Sequence, residues 1–133
     1  MKPWLTLIAC GALVGTACAD FLKQHQWKHR LLFVHEMNPK LERELTRDST
    51  ELVERDLRVF VMKGPTKTGE VLDPEQVREV RERIGGGEKP EVVLLGKDGR
   101  TTVRWSVDEF TLASLYARID AMPMRQREMR EQR

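Results

Sequence analysis

Apolar residues in this chain gather in short runs, and charged amphipathic stretches separate them. Leu31 to Val34 is one such run, with β-favouring members, and it predicts a buried strand over Arg30 to His35. Leu57 to Met62 predicts a second strand. Val92 to Leu95, entered through Lys89-Pro90, turns at Gly96-Lys97-Asp98-Gly99-Arg100 and returns as Thr101 to Trp105, the pattern of an antiparallel hairpin in the middle of a sheet. Leu41, Leu45, Leu52 and Val53 recur at near-helical spacing, so a helix is expected from about Pro39 to Arg55. Asn38 is its expected N-cap, Pro39 suits the first helical position, and Ser49-Thr50 weakens it locally.

The loop from Lys63 to Leu72 is marked by Gly64-Pro65 and Gly69. Asp73-Pro74-Glu75 then starts a second helix with a Val77, Val80, Ile84 stripe, which Gly85-Gly86-Gly87 ends. Ser106-Val107-Asp108-Glu109 has the form of a capping box for a third helix through Phe110, Leu112, Leu115 and Ile119, stopped at Pro123. Asp20 to His29 reads as a polar lead-in. The order is strand, helix, strand, helix, strand, strand, helix. The first two strands should be parallel through a right-handed crossover, and the last two antiparallel. The expectation is an α/β protein, βαβαββα, with a four-stranded mixed sheet and helices on both faces.

The first 19 residues differ from the rest. Lys2 is their only charge, Trp4 to Ala19 is apolar or small, and Ala17-Cys18-Ala19 fits a small-x-small cleavage site. We expect a signal peptide over 1–19 cut between Ala19 and Asp20, a domain over 20–123 and a charged C-terminal tail over 124–133. The alternatives are an uncleaved anchor, or lipidation at Cys10 or Cys18, each in an imperfect lipobox. Both cysteines lie in the leader, so the mature chain has no thiolate and no disulfide. The 23 Lys and Arg against 21 Asp and Glu include Lys2, so the mature chain is close to neutral. No broad basic field exists, and nucleic acid is not an expected partner.

The element order matches the thioredoxin core. Met37-Asn38-Pro39-Lys40 stands where thioredoxins carry Cys-x-x-Cys, and Lys89-Pro90 stands at their cis-proline, so that bond is expected to be cis. Trp27-Lys28-x-Arg30-Leu31-Leu32, Glu54-Arg55-Asp56-Leu57, Leu95-Gly96-Lys97-Asp98-Gly99 and Ile119-Asp120-Ala121-Met122-Pro123-Met124-Arg125 resemble the bacterial exported family called domain of unknown function 4174. That family is related to the thioredoxin-like domain of sushi-repeat extracellular proteins. The resemblance implies a thioredoxin-like domain in the periplasm or secreted, with no established activity.

The carboxyl ends of parallel strands are the functional edge of such a sheet. They should gather His35, Glu36, Met37, Asn38 and Lys63, with Lys89 and Pro90 approaching. His35 and Glu36 are the candidate acid/base pair, although neighbours on a strand point apart. Met37, Asn38, Lys63, Lys89 and Pro90 are candidate binding residues, and so are Arg55 and Asp56, whose plainer role is to shape the turn into the second strand. His25 and His29, four apart, would share a helix face without a third metal ligand; Met122, Met124 and Met129, with Met37, could form a soft copper site, but Met122-Pro123-Met124 at a helix end reads as a hydrophobic plug. No metal or cofactor is expected. The reading is an exported thioredoxin-like, non-catalytic binding module for an unidentified protein or small ligand. The alternative is a cysteine-independent enzyme around His35. Membrane contact is expected only through the leader or a lipid.

Overall fold

The computed structural model describes residues 20–86 and 89–132. Expectations for 1–19, including Ala19 and the two cysteines, lie outside the described residues, as do Gly87 and Glu88. Among those described, no helix is long and apolar enough to cross a membrane.

The sheet is built on β1 (Arg30–Glu36), whose first five residues are buried. Parallel to it runs β2 (Leu57–Lys63), with Leu32 opposite Val59 and Glu36 opposite Lys63. A short β3 (Glu70–Val71) lies parallel to β2. On the other side β4 (Glu91–Leu95) is antiparallel to β1, and β5 (Thr101–Ser106) pairs antiparallel with β4. The order is β3-β2-β1-β4-β5. Without β3 this is the thioredoxin-like arrangement of two parallel strands joined through helix, then an antiparallel hairpin beside the first. The fold class stands, with a fifth strand too short to carry a pattern. The centre is β1, not the hairpin, and β5 is an edge.

Six helices are described, and five of them cover the sheet in two layers. On one face Leu32, Val34, Val59, Val92 and Leu94 pack against Leu41 and Leu45 of α2 (Pro39–Arg47), Leu52 of α3 (Ser49–Glu54), and Leu112, Leu115 and Ile119 of α5 (Leu112–Asp120). On the other, Leu31, Phe33, Phe60, Met62, Val93 and Leu95 pack against Phe21 and Leu22 of α1 (Phe21–His25) and Val80 of α4 (Pro74–Ile84). Each fully buried aliphatic contributes roughly 1.5–3 kcal/mol of transfer free energy, so both layers are needed.

Four local expectations are corrected. The helix over 39–55 breaks at Asp48, whose carboxylate accepts from Arg47 Nε and from the Tyr116 hydroxyl, both at 2.8 Å. The third helix starts at Leu112, because Thr111 caps it by accepting from the Ser114 N–H at 3.1 Å, and 106–109 forms a turn instead. The expected solvated tail is largely a helix, α6 (Pro123–Glu131), with Arg125 buried. No cis peptide bond occurs among the described residues, so Lys89–Pro90 is trans. Pro90 is exposed, and its carbonyl accepts from the Val107 N–H at 2.9 Å; it leads into the hairpin and does not face a site. The caps of α2 and α4 are as expected: the Asn38 side chain accepts from the Leu41 N–H at 2.8 Å, and Asp73 and Gln76 form a capping box.

Candidate functional site

Two polar regions sit at opposite ends of the parallel strands. The seven residues of β2 separate Asp56 from the loop after Lys63, a span of about 20 Å at strand rise.

At the carboxyl end lies a groove of about 670 Å³. Met37, Asn38 and Pro39 form its floor as β1 passes into α2. Glu42, Arg43, Thr46 and Arg47 make one wall, and Pro65 and Lys67 of the β2–β3 loop make the other. A single carboxylate joins the walls. Glu42 accepts from the Lys67 N–H at 2.7 Å, the Thr66 hydroxyl at 3.0 Å and the Thr68 N–H at 3.2 Å. Burial alone would raise its pKa, but these donors outweigh that and hold it below the usual range. Thr46 and Thr68 add a hydroxyl pair at 2.7 Å. Gly69 lets the loop close, because a Cβ there would meet the Val59 carbonyl oxygen at 2.8 Å. Volumes of 300–1,000 Å³ are typical of ligand sites.

At the amino end is a knot of ion pairs. Arg30, fully buried, donates to the Arg55 carbonyl at 2.7 Å and with two nitrogens to Glu128 at 3.2 Å. Lys97 bridges Glu128 and Asp56, both at 2.8 Å. Arg55 pairs with Asp120 and with Glu51, both at 2.9 Å, and lies over the Tyr116 ring at 4.2 Å. Arg125 joins Asp120 at 3.2 Å and donates to the Glu54 carbonyl at 3.0 Å. Burial pushes Asp120 and Glu128 upward, but the bonds from Arg55 to the first and from Lys97 and Arg30 to the second hold both low. All four sequence motifs that carry the family resemblance meet here. Their charges are spent on one another, so the knot ties α3, α5, α6 and the hairpin turn to the start of β1 and β2.

The predicted residues divide accordingly. Met37 and Asn38 line the groove. Lys63 is exposed, opposite Glu36 in the ladder, and is not part of the groove lining. Arg55 and Asp56 belong to the knot; Asp56 turns the chain at φ 52°. Asp20 is exposed before α1. His35 and Glu36 do not converge. Strand alternation puts His35 on the Phe33 face, where with Lys89 and Glu91 it lines a cavity of about 20 Å³, space for roughly one water. Glu36 is exposed on the opposite face, near Gly64. Pro90 lines neither space. Their Nδ1 atoms 3.1 Å apart, His25 and His29 share a hydrogen bond, and among the described residues no three His, Cys, Asp or Glu group as for a metal. Met37 and Met122 pack against the core.

Sequence reading missed Glu42, Arg43, Thr46 and Lys67. The four-residue spacing of Asn38, Glu42 and Thr46, one face of α2, was the available signal. It also missed Arg30, Lys97 and Glu128 as partners, which no local spacing encodes.

No curated protein matches this chain. The crystal structure of Trgpx in apo form aligns at 15% identity and TM-score 0.44, covering 74% of this chain and 83% of that one. A family model described as Domain of unknown function (DUF4174) matches residues 21–128, from the first residue of α1 to the glutamate at the heart of the knot. The chain therefore belongs to the domain of unknown function family DUF4174.

Proposed function

We propose that this protein is a non-catalytic binding module that holds a protein segment or small ligand in the groove at the carboxyl edge of β1 and β2. One observation carries the reading: a groove of about 670 Å³ lies where this architecture places its functional edge, yet no thiol or imidazole lines it and its one carboxylate is held by three donors. The enzyme alternative loses its motive, because His35 and Glu36 face apart. Export, to the periplasm or beyond, is part of the proposal and rests on the apolar leader. A relation to sushi-repeat extracellular proteins, and a bacterial source, belong with it.

The test is site-specific photo-crosslinking in the exported fraction. A photoreactive residue at Arg43, in the groove wall, should capture a partner that the same residue at Arg78, exposed on α4, does not. Equal capture at both positions, or none at Arg43, overturns the reading.

A further inference from the structure

We infer that the groove takes an extended acidic peptide segment in which carboxylates alternate with apolar side chains, a reading that rests on the groove being the binding site.

Glu42 is the only acid in the lining, and its two oxygens are engaged by the loop. Arg43 and the Lys67 side chain make no hydrogen bond or ion pair among the described residues. Arg47 pairs only with its neighbour Asp48, and its side chain is 69% exposed, so a ligand carboxylate can exchange with that bond. The walls therefore present three cations and no available anion, beside a floor to which Met37 and Pro39 bring apolar surface.

Spacing then selects the ligand. Arg43 and Arg47 are one helical turn apart on α2, with Cβ atoms about 5–6 Å from each other. Alternate side chains of an extended chain repeat at about 6.6 Å. Acidic residues at i and i+2 can meet Arg43 and Arg47 in turn, while residues between them turn toward the apolar floor. A single small anion would use one of these cations and leave the others and the floor vacant. The nine-residue α2 is about 13 Å long, which accommodates roughly four extended residues.

The test is a titration of the isotopically labelled full chain with three short synthetic peptides, alternating leucine with glutamate, glutamine or lysine, read by amide chemical shifts. The leucine–glutamate peptide should move the amides of 37–47 and 64–68, with binding weakened by salt. The double variant Arg43→Glu/Lys67→Glu should bind it about tenfold or more weakly, with an unchanged melting temperature because both side chains are exposed. Equal binding of the glutamine or lysine peptide there overturns the charge assignment and leaves the groove as the site. If no peptide moves those amides while the Arg43 cross-link still captures a partner, the peptide inference falls alone; if the cross-link fails too, the groove reading falls with it.

Discussion

The knot and the groove are both made of charged residues, and they use charge in opposite ways. In the knot, Arg30, Arg55, Lys97 and Arg125 each find a carboxylate or a carbonyl, and they are the buried charged residues among those described. In the groove, Arg43 and Lys67 are exposed and uncommitted. Buried charges paired with one another fix geometry and offer little to a ligand, and of their buried side-chain nitrogens and oxygens Arg30 Nε alone is without a hydrogen-bond partner among the described residues. An exposed cation over an apolar floor adds little to stability and is free to bind. Position reinforces this: the knot closes the amino pole, where chain ends and turns must be fastened, and the groove opens at the carboxyl edge.

The largest effect is expected from Glu128→Gln. It removes the shared anion of Arg30 and Lys97 and leaves Arg30 buried without its charge partner. The expected loss of stability is about 3–5 kcal/mol, the usual cost of breaking a buried pair, read by urea unfolding. If Glu128→Gln unfolds at the wild-type midpoint, the knot is not what fastens α6.

Glu42→Ala should do less and do it locally. It frees three donors of the β2–β3 loop, so the Lys67 and Thr68 amides should lose protection in hydrogen exchange by about 1–3 kcal/mol. The β1 amides should be unaffected. Uniform loss across the sheet would mean that the carboxylate supports the core rather than the groove wall.

A smaller effect is expected from pH. Desolvation first, and then the neighbouring His29, lower the His25 pKa; desolvation and Arg58 lower that of His29. The unfolded chain therefore binds more protons just below pH 6.5, and stability contributed by the neutral pair falls as pH drops from about 6.5. The groups facing the pair are Arg58 and Glu70 across β2 and β3, with Lys28, Asp56 and Lys97 around His29. Glu42, Asp120 and Glu128 add a second loss below the ordinary carboxylate range, as pH falls through their depressed folded values. Melting temperature should decline in two stages on acidification, and His25→Phe/His29→Gln should flatten the first. A single stage unaffected by that substitution would contradict it.

Local chemistry made much of the fold legible. Four strands were written in apolar runs, and the Asn38-Pro39 and Asp73-Pro74 starts were written in cap chemistry. What the sequence hid was decided by partners far along the chain. The break at Asp48 depends on the Tyr116 hydroxyl 68 residues on. Glu128 reads as one more charge in a polar tail until Arg30, 98 residues earlier, is seen against it. Two residues of β3 are too few to show alternation. The site was half legible for a similar reason: the edge rule picked out Met37 and Asn38, whereas Arg43 and Lys67 became relevant only once Glu42 was seen to be occupied. His35 and Glu36 were adjacent in sequence and divided by the pleat.

The most direct test of the division between a pole that holds and an edge that binds is hydrogen exchange on the full chain, with and without the partner recovered through the Arg43 cross-link. New protection confined to residues 37–47 and 63–68 is the predicted result. Protection centred on Arg30, Asp56, Lys97 and 120–128, with the groove amides unchanged, would contradict it and make the knot the binding surface.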